Sequence, residues 1–276
     1  MTQEMEIISV GNELLIGKVL NTNAEWLSKR ATNLGITVKR VTVVPDDVDE
    51  SARVIRETLK RKPQFVVTTG GLGPTYDDKT LEIIAKAFRC KLAVNHAALE
   101  MVKKKYQTYA SKKGRNYAEL TPPRVKMATI PENAKPIPNP VGAAPAIQID
   151  TNGTVLIALP GVPREMEAIF EENVAPLLKS ASRDNRFYED SLYLDGIMES
   201  ELASLIEKVM QDNPGIYVKS HPKDAEKKPH LEIHFSLTSA DHETAQERIH
   251  KAVTQLTDLI KHVSSPSHFT KANKAN

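Results

Sequence analysis

Thr68-Thr69-Gly70-Gly71-Leu72-Gly73-Pro74-Thr75-Tyr76-Asp77-Asp78 is the stretch on which the reading of this chain turns. It follows a short β-branched run, Phe65-Val66-Val67, and leads into a helical pattern over residues 79–88. Glycines at 70, 71 and 73 let the backbone turn sharply and approach a ligand without Cβ interference. The following helix aims its free N–H groups and positive dipole end at whatever the loop holds. That is the physics of a phosphate site, and adjacent aspartates at its mouth suit a metal or a proton transfer. The plainer alternative is a tight turn in which Asp78 only caps the helix.

Outward from that loop, the first two thirds of the chain alternate strand and helix. Glu6-Ile7-Ile8-Ser9-Val10 reads as a strand ending at Gly11, and residues 37–44 as a β-branched strand ending at Pro45. Between them a helix, capped by Asn23, places Ala24, Leu27, Ala31 and Leu34 on one face and stops at Gly35. Helical periodicity returns over residues 50–61, 79–88 and 96–113, and again from Pro163 onward. Residues 146–149 and 154–159 read as a hairpin around Asp150-Thr151-Asn152-Gly153. This order predicts an α/β fold, a three-layer α/β/α arrangement around a mostly parallel sheet. Ligands of such sheets sit beyond the carboxyl ends of strands, so the loops after Val10, Val44, Thr69 and Leu159 are expected to meet at one site.

A polar stretch, residues 181–187, marks a boundary. Beyond it a small α+β module of βαββα order is expected over residues 187–263, following a first domain over 1–180. His230 to Leu237 alternates polar and apolar, as a sheet with one wet face should. Residues 264–276 are rich in Ser, Lys and Asn and read as a disordered tail. The 276 residues carry 40% hydrophobic and 26% charged residues with a net charge of +2, so a dominant nucleic-acid or membrane-binding surface is not implied. Cys90 is the single cysteine, which excludes an intramolecular disulfide and a thiolate zinc site. No signal peptide or membrane-spanning run is evident, and the chain reads as cytoplasmic.

Five ordered segments together resemble a known family. They are Gly11-Asn12-Glu13-Leu14-Leu15-Ile16-Gly17 with Asn21-Thr22-Asn23, Val44-Pro45-Asp46-Asp47, Thr69 to Thr75, Pro138-Asn139-Pro140-Val141-Gly142, and Leu159-Pro160-Gly161-Val162-Pro163-Arg164-Glu165-Met166. They resemble the N-terminal domain of CinA-type competence-damage proteins, itself similar to molybdopterin adenylyltransferases of the MoaB/MogA type. The module that follows resembles the KH-like domain found next in that family.

The resemblance implies hydrolysis of a nucleotide pyrophosphate such as ADP-ribose or FAD to AMP and a second phosphate product, with a divalent metal (Mg, Mn or Co). Asp46 and Asp78 fall where the adenylyltransferases keep catalytic aspartates. Asp78 is expected as a metal ligand, Asp46 as a ligand or the group orienting the attacking water, Asp77 as next in line, and Glu13 as a further ligand or a solvated carboxylate. Gly70, Gly71, Gly73 and Thr75 are expected to hold phosphates. Asn21 and Asn23 are expected at ribose or phosphate, with helix capping as the alternative for Asn23. Asn139 and Gly142 form either a substrate wall or a rigid connector, and Gly161 opens a further anion-binding helix start, where Glu165 suits the helix dipole.

Asn12 and Tyr76 depart from the family's usual Thr and Pro, and Tyr76 could stack on a base. Many CinA proteins continue into an amidohydrolase domain, whose activity is not expected here. The KH-like module lacks a Gly-x-x-Gly loop, so nucleic-acid binding is not expected; it fits dimerisation, making a homo-oligomer the expected state, or closure over the site. Cys90 reads as core, and metal binding by His230 and His234 on one strand face is a minor alternative. The rival functions are molybdopterin binding or adenylylation in the same pocket, and a non-enzymatic binding module acting through the C-terminal region.

Overall fold

The structure, a computed structural model, describes residues 3–113, 119–223, 230–263 and 269–270. It divides into two compact units, Met1–Ser182 and Arg183–Asn276.

The first unit begins with β1 (Glu4–Val10), the short α1 (Asn12–Leu15), α2 (Thr22–Asn33), β2 (Thr37–Val44), α3 (Val48–Lys60) and β3 (Phe65–Thr69). There follow α4 (Thr80–Phe88), β4 (Leu92–Val94), α5 (His96–Lys112), α6 (Pro122–Lys126), β5 (Thr129–Pro131) and β6 (Lys135–Ile137). The hairpin β7 (Ala146–Thr151) and β8 (Thr154–Leu159) leads to α7 (Pro163–Ile169), a π-helical turn at Phe170–Val174 and α8 (Ala175–Ala181). The main sheet has the order β2-β1-β3-β8-β7-β6. Strands β2, β1, β3 and β8 run parallel, whereas β7 and β6 are antiparallel to their neighbours. The mostly parallel sheet expected from the sequence is therefore present, with an antiparallel edge built by the β7–β8 hairpin. Its turn places Asn152 (φ 44°) and Gly153 (φ 84°) in the left-handed region, as a two-residue hairpin of matching twist requires.

Period-two alternation sends neighbouring strand residues to opposite faces. Ile8, Val66 and Leu156 pack with Ala52 and Ile55 of α3, Ile84 of α4 and Val102 of α5. Ile7, Val67 and Ile157 pack with Leu27 of α2, Met166 of α7, Phe170 and Leu178 of α8. These two clusters are the reason for three layers: a sheet apolar on both faces needs helices on both. Strand β3 is buried along its whole length, as a central strand should be. Glu6 is the charged exception in β1; it is 3% exposed and takes a bidentate ion pair from Arg61, at 2.8 and 2.6 Å.

The second unit contains β9 (Arg186–Asp195), α9 (Glu199–Asp212), β10 (Tyr217–Lys223), β11 (His230–Ser239), α10 (His242–Val263) and β12 (Phe269–Thr270). The antiparallel sheet has the order β10-β11-β9-β12, and Ile233, Phe235, Leu202 and Leu256 help form its own core. The βαββα order is as expected. Strand β9 starts inside the polar stretch, at Arg186. Phe269–Thr270 corrects the tail expectation, since it pairs with Leu194 and Tyr193; residues 264–268 and 271–276 lie outside the described residues. His230 and His234 each pair with a carboxylate of β9, Asp195 and Glu189 respectively. Cys90 is half-buried rather than core, with its Sγ near the carbonyl of Ala85.

Candidate active site

Parallel strands end on the same side of a sheet, so the loops leaving β1, β2, β3 and β8 come together. They enclose a cleft of about 560 Å³ lined by Gly11, Glu13, Asp46, the Gly70–Gly73 loop, Asp77, Asp78 and Gly161. Backbone bonds tie the loops in pairs: Gly11 N–H donates to Val44 O at 3.0 Å, and Gly70 N–H to Leu159 O at 3.1 Å. Asn12 N–H donates to Asp46 Oδ2 at 2.9 Å and Asp46 N–H to Asn12 Oδ1 at 3.4 Å, so the Asn at position 12 orients the aspartate.

The glycine loop is shaped by close backbone contact. Gly70 has φ 106°, and a Cβ there would lie 2.2 Å from Val10 O. Thr80 turns two carbonyls away from the cleft, donating its hydroxyl to Gly70 O at 2.7 Å and its N–H to Gly71 O at 3.0 Å. The N–H groups of Gly71, Leu72 and Gly73 meet no acceptor among the described residues. Successive unpaired N–H groups beside a helix start form an anion-binding concavity.

The acidic pair is held from within the loop. Asp78 Oδ2 accepts from Thr75 N–H at 2.8 Å and faces the Thr75 hydroxyl at 2.5 Å. The same hydroxyl faces Asp77 Oδ1 at 2.5 Å, and its one proton serves one carboxylate at a time. This hydrogen bond is the main cause holding the Asp77 carboxyl below its ordinary pKa. Thr75 therefore positions the acids rather than facing a phosphate, and it is not among the residues lining the cleft. Lys126 Nζ, which the sequence did not single out, donates to the carbonyls of Thr75 and Asp78 and pins the loop. Helix α4 is capped at Lys79 without a side-chain bond, so Asp78 is not the cap. Tyr76 stands out in solvent under Lys79 Nζ, outside the cleft.

The helix cap expected at Asn23 falls to Asn21. Asn21 caps α2, accepting from Ala24 N–H at 3.3 Å and pairing with Ser9 Oγ at 3.0–3.1 Å. Asn23, inside the helix, donates to Thr69 Oγ1 at 3.0 Å and Gly161 O at 2.8 Å, tying α2 to the loops after β3 and β8. Its buried Oδ1 has no partner. Both line a smaller hollow of about 120 Å³ that shares Glu13, Gly70 and Gly161 with the main cleft. Gly161 packs against Gly70, with its would-be Cβ 3.3 Å from Gly70 Cα.

Asn139 is fully committed to protein partners. Its amide donates to Ala144 O at 2.9 Å and Glu165 Oε2 at 2.7 Å, while its oxygen accepts from Val141 N–H at 3.0 Å and Gly142 N–H at 2.6 Å. It organises the 139–144 loop, whereas Gly142 does line the cleft. Glu165, Tyr106, Tyr109 and Met127 complete the lining. The tyrosines meet edge to face at 5.9 Å, and the Arg124 guanidinium lies 3.8 Å from the Tyr106 ring centroid. Burial, then the nearby Glu165 charge, raises the Tyr109 pKa.

No group of three His, Cys, Asp or Glu side chains among the described residues is disposed to hold a metal, so Glu13, Asp46 and Asp78 do not form a ready-made cage. The donor set nevertheless fits a hard cation. Five carboxylates (Glu13, Asp46, Asp77, Asp78 and Glu165) line the cleft, and the nearby Lys126 amine is engaged by the carbonyls of Thr75 and Asp78 rather than by a carboxylate. Asp46 and Asp78 each have one oxygen engaged by backbone N–H, leaving the other for a cation shared with phosphate and water. Among the described residues no helix is long and apolar enough to cross a membrane.

Residues 6–180 match the family described as "Probable molybdopterin binding domain". A protein of Pyrobaculum calidifontis is 46% identical over 256 residues, covering 92% of this chain and 95% of the relative. Protein SSO0103 of Saccharolobus solfataricus is 41% identical over 257 residues, covering 93% and 91%. The crystal structure of the protein CinA, described as of unknown function, from Thermoplasma acidophilum is 42% identical with a TM-score of 0.57, covering 63% of this chain and 99% of that one. The chain belongs to the family of probable molybdopterin binding domains, as a CinA-type member of it.

Proposed function

We propose that the chain is a metal-dependent nucleotide pyrophosphatase that hydrolyses ADP-ribose-like or FAD-like dinucleotides to AMP and a second phosphate product. The observation that carries this reading is one cleft in which unpaired N–H groups of Gly71, Leu72 and Gly73 share space with Asp46, Asp77 and Asp78. The N–H concavity suits phosphate oxygens, and the carboxylates would repel them unless a cation lies between. A divalent cation bound there supplies that neutralisation and lowers the pKa of water. In the reaction an O–P bond forms between water and the adenylyl phosphorus, the bridging P–O bond breaks, and the departing phosphate keeps the electron pair. On this reading Asp46, held by Asn12, orients the attacking water and takes its proton, Asp78, braced by Thr75, would hold the cation, and the glycine loop holds the diphosphate in line. The flat Tyr106 and Tyr109 surfaces suit a nucleobase.

The test is AMP release from ADP-ribose, FAD, NAD and ATP, with and without Mg²⁺, Mn²⁺ or Co²⁺. Metal-dependent AMP from a dinucleotide supports the reading. No AMP from any of them, with the protein folded, overturns it. A second reading, molybdopterin binding or adenylylation, is favoured by the family description and by the same aromatic lining, which would take a pterin ring; a molybdopterin adenylylation assay tests it.

A further inference from the structure

Glu165 is an acidic residue of the cleft held by a fully engaged partner, and neither phosphate binding nor hydrolysis uses it. It is the third residue of α7, a position from which glutamate commonly reaches back to its own helix start. Here its carboxylate turns instead to Asn139, which donates to Oε2 at 2.7 Å. Asn139 has no rotational freedom left, because both amide hydrogens and both acceptor sites of its oxygen are engaged. The 139–144 loop is itself tied to α5 by Lys105 Nζ to Pro140 O at 2.8 Å and Tyr109 Oη to Val141 O at 3.2 Å. Gly142 leaves the space: a Cβ there would lie 1.9 Å from Glu165 Oε2. One carboxylate oxygen is thus fixed and the other is left to accept from a ligand.

The chemistry of that ligand group is restricted. A carboxylate repels phosphate oxygens, and the cation reading above rests on the free oxygens of Asp46 and Asp78 rather than on Glu165. The partner that remains is a hydrogen-bond donor of the ligand. Glu165 sits in the first turn of α7 and lines the same cleft as Gly161, which packs on Gly70 of the glycine loop, so the donor belongs to a group close to the phosphate. In a nucleotide that group is the ribose, and a carboxylate accepting from ribose hydroxyls is a recurrent way to read it. We propose that Glu165, positioned by Asn139, accepts hydrogen bonds from the ribose hydroxyls of the bound nucleotide and selects ribonucleotides over their deoxy forms. The inference rests on the nucleotide reading above, though not on hydrolysis.

Calorimetric titration with AMP, 2′,3′-dideoxy-AMP and IMP in the presence of Mg²⁺ tests it, using the full chain and its Glu165→Gln and Glu165→Ala variants. The unchanged protein is expected to bind AMP about 10- to 100-fold more tightly than the dideoxy form, the range of a hydrogen bond to a charged group. Glu165→Ala should reduce that ratio to less than about 3-fold and Glu165→Gln, which keeps a neutral acceptor, should leave an intermediate ratio, with dideoxy-AMP affinity nearly unchanged and the thermal midpoint retained. A ratio that survives in Glu165→Ala overturns the assignment, as does equal binding of ribo and dideoxy forms by the unchanged protein. A variant that alters AMP against IMP instead would place Glu165 at the base and also overturns it. Ribose-selective AMP binding without dinucleotide turnover would sink the pyrophosphatase reading alone; turnover without ribose selectivity would sink this one alone.

Discussion

Replacing Gly70 with alanine tests whether the cleft depends on backbone contact between the loops after β1 and β3. At φ 106° any side chain is strained, and the added Cβ would sit 2.2 Å from Val10 O, a backbone atom that cannot swing aside. Strain at such a position costs about 1–3 kcal/mol. Relief of the clash needs a displacement of about 1 Å, and overpacking of that kind costs about 1–3 kcal/mol more. The expected loss is then about 2–6 kcal/mol, a large part of a typical domain's stability. Gly153→Ala is the control: its φ is 84°, but nothing lies within 4 Å of the new Cβ, so only the strain remains. Trp26 is the single tryptophan and packs edge-on against Phe170 at 5.2 Å, so its fluorescence during denaturation reports the first unit. Gly70→Ala should lower that transition by more than Gly153→Ala and also cut AMP release by about 100-fold, because a shift of about 1 Å misplaces the N–H concavity. Equal unfolding of the two variants, with undiminished activity in Gly70→Ala, would refute the argument.

Asp78→Asn should reduce AMP release by at least about 100-fold yet leave unfolding unchanged, since the amide oxygen can still accept from Thr75; full activity in that variant would remove Asp78 from the site. Thr75→Ala should raise the Asp77 pKa toward its ordinary value. The depressed pKa means that the bond's contribution is present above the ordinary carboxyl pKa and fades as pH falls through the lowered one, so an NMR titration of the Asp77 carboxyl should move upward in the variant; an unmoved titration contradicts the Thr75 cause. Arg61→Ala strands Glu6, whose side chain is 4% exposed. Because Arg61 itself is about one-third exposed, the expected loss is about 2–3 kcal/mol rather than the full cost of a buried pair. The Trp26 transition should fall while AMP release stays unchanged, and a stability equal to the parent would show the pair to be dispensable.

The layers of the fold were legible because they depend on local periodicity. Ile7 and Ile8, or Val66 and Val67, must face opposite ways in a strand, and apolar neighbours on both faces imply helices on both sides. The convergence of four loops follows from strand direction alone. What local pattern could not supply was the destination of side chains that act over long sequence distances. Asn21 and Asn23 are equally good capping residues by type. The choice falls to Asn21 because Asn23 reaches Thr69 and Gly161, 46 and 138 residues away. Tyr106 and Tyr109 sit at the spacing of an apolar helix face, and spacing does not distinguish a face against the core from a face lining a cleft.

The family's ordered segments mark residues that belong to the site, but not which of them face a ligand. Thr75 and Asn139 both lie in those segments, and both spend their hydrogen bonds on other residues of the protein. Thr75 braces Asp77 and Asp78, while Asn139 braces Glu165 and the turn through Gly142. Such pairings make physical sense in a cleft lined by five carboxylates, where each acid needs a donor to fix its direction before a cation or substrate arrives. Where a donor of this kind is uncharged, the acid keeps its full negative charge for the ligand. A lysine or arginine in the place of Thr75 or Asn139 would hold the carboxylate equally well but cancel the charge that attracts a metal. The use of hydroxyl, amide and backbone N–H donors around Asp46, Asp77, Asp78 and Glu165 is therefore what a site for a cation and a polar ligand requires, and an ion-paired scaffold would not serve.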